Sequence, residues 1–157
     1  MDLKTLPITH RAVIPESYLD QFGHMNVMWY THLFGHAAGG LFKLFGLDRD
    51  YFAGHQAGSF ALAQFFRYLA EVRVGESVTL RSRVLGRSAK KLHAMHFMIK
   101  DDGDVLAATA EVVSAHVDMK TRRTSPFPEH ISQALDRLAA EHAGLTWAAP
   151  ISGAMQP

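Results

Sequence analysis

Asp20-Gln21-Phe22-Gly23-His24-Met25-Asn26-Val27-Met28-Trp29-Tyr30 crowds a carboxylate, a turn glycine, an imidazole and an amide together just ahead of a long apolar run. Beyond it, Trp29, Leu33, Ala37 and Leu41 recur at helical spacing, and Phe34, Ala38, Phe42 and Phe45 widen the stripe. The spacing predicts a helix from about Asn26 to Phe45, with Asn26 suited to be its N-cap. Asp20 then lies in a loop facing the free N–H groups and the positive end of the helix dipole. A base opposite an anion-binding helix end is the layout of an acyl-transfer or hydrolysis centre. Gly35, Gly39 and Gly40 each oppose helix by about 1 kcal/mol relative to alanine. Their presence suggests one long central helix wrapped so closely by a sheet that a side chain would not fit, the alternative being a break near Gly39.

Around that helix the chain reads as strands. Ile8 to Ile14 makes a first strand ended by Pro15. After Gly46 the chain loosens from Asp48 to Gly58. Ser59 to Val72, Glu76 to Arg87, Leu92 to Lys100 and Val105 to Asp118 then read as four further strands, the last two joined by an Asp101-Asp102-Gly103-Asp104 turn. Ser77, Thr79, Arg81 and Arg83 alternate with Val78, Leu80 and Val84, which implies one wet face. Five strands and one apolar helix satisfy each other if the sheet curls around the helix, an α+β architecture. Pro128 to His142 is amphipathic through Ile131, Leu135 and Leu138, and Gly144 stops it. Residues 1–144 are expected to be a single domain. Leu145 to Pro157 carries no pattern and is expected to be a tail, disordered or lying on a neighbour.

Composition narrows the classes of function. A chain of 157 residues with 48% apolar and 20% charged residues is ordinary for one globular domain. A formal charge of +1 gives no reason to expect nucleic acid or an anionic membrane as partner. Without cysteine there is no disulfide, thiol nucleophile or thiolate metal site. The first residues lack the apolar core of a secretory signal, and no segment approaches the ~20 apolar residues of a membrane span. A cytoplasmic location is the simplest expectation.

Several site candidates have a plain structural reading as well. Asp20 can simply cap a turn, His24 can be a hydrogen-bond donor, and Asn26 can be no more than the N-cap. His32 and His36 stand four apart, a metal-binding spacing, but no acidic third ligand follows, so a packed or interface pair is expected and no metal. Gln64, inside an apolar strand, needs a partner from the site or the backbone. Phe22, Met25, Met28 and Trp29 suggest an apolar or aromatic-lined pocket that could also accept a cationic head. Arg87, Lys90 and Lys91 cluster at a strand connection, where charges are usually solvated. No glycine-rich phosphate loop is present, so no nucleotide cofactor is expected.

The Asp-x-x-Gly-His-x-Asn pattern followed by an aromatic helix resembles the hotdog-fold acyl-CoA thioesterases, the group related to 4-hydroxybenzoyl-CoA thioesterase. Phe66-Arg67-Tyr68-Leu69-Ala70-Glu71-Val72-Arg73-Val74-Gly75-Glu76-Ser77-Val78 resembles that family's second strand and the turn into its third. Val117-Asp118-Met119-Lys120-Thr121-Arg122-Arg123, with Pro126 and Pro128, resembles the end of its last strand. The resemblance spans roughly residues 6 to 130. It implies a hotdog fold and hydrolysis of a small-to-medium acyl-CoA to free acid and coenzyme A, with coenzyme A entering as part of the substrate. It implies Asp20 as the catalytic carboxylate, base or nucleophile, with His24 and Asn26 orienting water or substrate. Val27 N–H would polarise the carbonyl, Gly23 would let the acyl chain pass, and Arg87, Lys90 and Lys91 would meet the nucleotide phosphates. It also implies a homodimer or homotetramer with sites built across the interface. A hotdog hydratase or dehydratase, and a non-catalytic acyl-CoA-binding protein, are the alternatives.

Overall fold

A computed structural model describes all 157 residues. Its six strands are β1 (Ile8–Val13), β2 (Ala57–Tyr68), β3 (Ser77–Arg87), β4 (Lys91–Lys100), β5 (Val105–Asp118) and β6 (Arg123–Thr124). Its helices are α1 (Val27–Lys43), α2 (Arg49–His55) and α3 (Glu129–Ala143). The strands pair antiparallel in the order β1-β3-β4-β5-β2, with β6 added to the end of β5. The sheet curls around α1, which is the expected hotdog architecture.

Helix α1 is continuous from its Asn26 cap, and its buried stripe of Tyr30, Leu33, Phe34, Ala37 and Leu41 lies on the concave side of the sheet. Leu33, Phe34 and Ala37 share one core with Val78, Leu80, Met98 and Ala110. Each large side chain buried there stabilises the wrap by about 1.5–3 kcal/mol. The three helical glycines divide. A Cβ on Gly40 would lie 1.9 Å from the Thr9 carbonyl oxygen of β1, whereas Gly35 and Gly39 face open space. Close wrapping therefore explains Gly40 alone.

Three other expectations change. The stretch from Asp48 to Gly58 is not loose: Asp48 caps α2 by accepting from Tyr51 N–H at 2.8 Å, and Gln56 closes it in the left-handed region. The local signal was there, since aspartate is a favoured cap. The alternating face of β3 is not wet, because Thr79 and Arg83 are buried. Alternation assigns side chains to a face without revealing what covers that face. Here the cover includes the chain's own ends. Leu6 and Leu3 pack on Met95, Phe97 and Ile99, and Trp147 packs edge-on to Phe97 with its ring under the Arg83 guanidinium at 4.4 Å. Arg83 also donates to the carbonyls of Trp147 (2.7 Å) and His142 (3.0 Å). The segment after Gly144 thus lies along the convex face of its own sheet. Helix α3 closes the far end through Ile131 and Leu135 against Leu41, Phe45 and Leu92.

Candidate functional site

The loop ahead of α1 is shaped by its own backbone. Asp20 N–H donates to the His24 carbonyl at 3.0 Å, and Gly23 N–H donates to the Asp20 carbonyl at 3.2 Å. Gly23 sits at φ +82°, a conformation that side-chain-bearing residues rarely adopt. Asp20 Oδ1 accepts from Phe22 N–H at 2.8 Å, and Oδ2 lies 3.4 Å from His24 Nδ1. The loop is fastened to the rest of the fold by Met25 N–H to the Val72 carbonyl (2.8 Å) and Asn26 N–H to the Tyr18 carbonyl (2.9 Å). Asn26 caps the helix as its sequence position suggested, its Oδ1 accepting from Met28 N–H at 3.0 Å. With Met28 N–H taken, Val27 N–H is left without a partner.

Asp20, His24, Asn26 and Val27 line one open hollow of about 440 Å³. Its opposite wall is the end of β2 and the segment after it, Tyr68 to Glu71, and Tyr30 forms part of the lining. An anionic oxygen, an imidazole and an unpaired N–H at a helix start therefore share one hollow. That set can activate water or attack a carbonyl, and can hold the negative charge that results.

The residues expected to line the hollow are partly different ones. Met25 does so from the core, but Phe22 and Met28 are mostly exposed elsewhere, and Trp29 stacks on Tyr18 at 3.8 Å. The aromatic lining is Tyr30 and Tyr68, whose rings meet edge to face at 5.0 Å. Tyr30 could have been found from its place one helical turn after Val27. Tyr68 and Glu71 could not, since contacts distant in sequence, such as Met25 with Val72, bring that segment across.

Arg87, Lys90 and Lys91 are not beside Asp20 within the chain. They sit where β3 passes to β4, at the other end of strands whose near end pairs Val78 with Lys100. Nine residues of strand separate Arg87 from Val78, roughly 30 Å. Arg87 is held by both oxygens of Asp136 on α3, which raises its pKa through that hydrogen bond and charge. Lys90 is exposed and Lys91 half-buried. Gln64 lines a second, smaller cavity of about 260 Å³ between the middle of α1 and the sheet, with Gly35, Gly39, His96 and Ser114. Burial holds His96 neutral, with its pKa lowered to about 4. His32 and His36 bond to each other at 3.2 Å, and His10 stacks on His36. A third hollow of about 410 Å³ lies on the convex side around Lys4, Arg11 and Arg81. Two of its charges are engaged at home: Lys4 pairs with Asp104 at 2.6 Å, and Arg81 donates to the carbonyls of Lys4 and Leu6.

Comparison with known proteins agrees with the fold. Residues 14–135 match the thioesterase-like superfamily. An L-carnitine dehydrogenase/betainyl-CoA thioesterase of Agrobacterium fabrum is 37% identical over 136 residues, 86% of this chain but 28% of that protein. A betainyl-CoA thioesterase of Pseudomonas aeruginosa is 31% identical over 136 residues, covering 85% of this chain and 83% of that protein. The chain thus spans under a third of the larger relative and most of the smaller one. A Staphylococcus aureus protein solved in complex with CoA superimposes with a TM-score of 0.83 at 24% identity, over 91% of this chain and 90% of that one. That likeness establishes the shared fold.

Proposed function

This chain belongs to the thioesterase-like superfamily, and we propose that it hydrolyses an acyl-CoA thioester to the free acid and coenzyme A. The observation that carries the proposal is the hollow that Asp20 and Val27 line together, the first with its carboxylate and the second with its N–H unpaired. Thioester cleavage builds negative charge on the carbonyl oxygen, and a fixed N–H at a helix start stabilises it without reorganising. Asp20 either attacks the thioester carbonyl itself, expelling the coenzyme A thiolate and leaving a mixed anhydride that water then hydrolyses, or takes a proton from a water molecule whose oxygen attacks the carbonyl and expels the thiolate. Phe22 N–H orients one carboxylate oxygen and leaves the other near His24. Asn26 positions the Val27 N–H through its cap, and Gly23 keeps the approach to the carbonyl unobstructed. The acyl group is small to medium, and the relatives' betainyl group is the first to try.

We further propose that the working unit is a dimer. β2 is an edge strand of 12 residues, and Leu62, Phe65 and Tyr68 on it are about half exposed. A long apolar edge of this kind favours pairing with another strand. Two β2 edges paired antiparallel would set the Ala57 end of one chain against the Tyr68 end of the other. Lys91 registers with Ala115, and Ala115 with Phe60, so the basic cluster belongs to the Ala57 end. Pairing therefore carries Lys90 and Lys91 toward Asp20 of the partner subunit, where the phosphates of coenzyme A would enter.

A panel of acyl-CoAs with a thiol reagent tests the activity. Release of free thiol supports hydrolysis. A change in enoyl absorbance without thiol release would indicate a hydratase using His24 and Asp20, and tight binding with neither would indicate a non-catalytic acyl-CoA-binding protein.

A further inference from the structure

We propose that Tyr30, Tyr68 and Glu71 form a cation-selecting corner of the Asp20 hollow, fitted to an acyl group with a fixed positive charge next to the thioester carbonyl. The inference rests on the thioesterase reading and adds the residues that would read the charge of a betainyl-like acyl group.

The rings of Tyr30 and Tyr68 meet at 77° with centroids 5.0 Å apart, an arrangement that makes a right-angled corner. Ring faces carry the negative part of the aromatic quadrupole and attract cations within about 6 Å. Two carboxylates, Asp20 and Glu71, line the same hollow, and no lysine or arginine does. The nearby cations are already engaged. Arg73 pairs with Glu71 at 3.0 Å, and Lys100 pairs with Glu76 at 2.7 Å while donating to the Glu71 carbonyl at 3.2 Å. Arg73 offsets part of the Glu71 charge, so the negative balance facing the hollow rests chiefly on Asp20, with His24 as the only imidazole of the lining.

Geometry limits where the charge can sit. In the shortest such acyl group, a trimethylammonioacetyl, the nitrogen lies two bonds from the carbonyl carbon, about 2.5 Å. A residue that reads that charge must belong to the hollow that holds the carbonyl. Tyr30 follows Val27 by three positions and so stands on the same side of α1, one turn along. The cavity around Gln64 and His96 lies further along the helix and is too distant for so short a group. A quaternary ammonium cannot donate a hydrogen bond. Aromatic faces with nearby carboxylates are thus the groups that recognise it, and further polar hydrogen-bonding side chains would add nothing.

The test compares trimethylammonioacetyl-CoA with 3,3-dimethylbutanoyl-CoA, which has the same shape with carbon in place of the charged nitrogen. Each kcat/KM is divided by the rate of uncatalysed hydrolysis, because the ammonium also activates its own carbonyl. The corner predicts a preference of roughly 30-fold or more for the cation, in line with two aromatic contacts of moderate strength. Tyr68→Leu and Glu71→Gln should each lower that preference, Tyr68→Leu by about tenfold, and Tyr68→Phe should restore it. Both side chains are substantially exposed, so folding is expected to survive. Equal corrected kcat/KM values, or a preference unmoved by Tyr68→Leu and Glu71→Gln, would overturn the corner and leave the thioesterase reading standing. If neither thioester nor any other acyl-CoA is cleaved, the thioesterase reading falls. The two uncleaved thioesters then serve as ligands in calorimetry, where equal affinity overturns the corner and tighter binding of the cation supports it.

Discussion

Two histidine–carboxylate pairs stand in this molecule, and they differ in what is left unsatisfied. His93 Nε2 and Glu111 Oε1 are 2.8 Å apart with side chains 8% and 0% exposed, and Glu111 Oε2 accepts from Ser152 N–H at 2.6 Å. His24 and Asp20 are 3.4 Å apart with side chains 35% and 17% exposed, in a hollow shared with an unpaired N–H. The first pair is closed: both carboxylate oxygens have partners, and the C-terminal segment covers them. The second is open and has capacity to spare. A buried polar network that is fully satisfied fixes structure, whereas chemistry needs a group with a free lone pair and room for substrate. Residue types alone do not separate the two pairs; their surroundings do.

Glu111→Ala should show the largest effect on stability. It removes the acceptor for both the buried His93 and the half-buried Ser152 N–H and leaves both unpaired, a loss of roughly 3 kcal/mol. Urea unfolding measures this, and an unchanged midpoint would show the closed pair to be dispensable. Turnover per folded molecule should stay near wild type.

Acid titration sharpens the contrast. Burial lowers the His96 pKa to about 4 from 6.5, so below 6.5 the unfolded chain binds the proton more readily. Stability is then lost as pH falls from 6.5 toward 4, by up to about 3 kcal/mol from this group. Glu111 adds a later loss. Burial alone would raise its pKa, but hydrogen bonds from Ser152 and His93 outweigh that and lower it below 4.5. Its contribution is present above 4.5 and disappears as pH falls through the lowered value. Glu111→Gln should erase that late step and keep the earlier one. A variant that retains both steps would assign the late one elsewhere.

A smaller effect is expected at the basic cluster. Reversing Lys90 and Lys91 to glutamate should raise KM for acyl-CoA several-fold with kcat nearly unchanged, the pattern of lost uniform binding. Short thioesters without the nucleotide should not distinguish variant from wild type. Arg87 is best left in place, because its reversal would also break the Asp136 contact to α3.

What was legible in the sequence was local. The Asn26 cap, the Asp20–Gly23 turn, α1 and the four long strands depend on periodicity and on hydrogen bonds a few residues apart. The opposing wall of the hollow was not legible. Tyr68 and Glu71 reach it through the pairing of Met25 with Val72, 47 residues apart, and nothing near Asp20 in the chain announces them. The cover over Thr79 and Arg83 was hidden for the same reason, since Trp147 arrives from the far end of the chain. The helical glycines illustrate the limit in miniature. One residue type at three positions suggested one cause, and the fold supplies it only at Gly40.

The most direct measurement of the central claim is the turnover of Asp20→Asn on an acyl-CoA that the wild type hydrolyses. Asparagine keeps the size and the turn hydrogen bond with Phe22 N–H but lacks the basic or nucleophilic oxygen. The account predicts a fall in kcat of about 10²–10⁴-fold, typical of a lost general base, with substrate binding and melting temperature near wild type. Turnover within a few-fold of wild type would contradict it and pass the role of catalytic carboxylate to Glu71 across the same hollow.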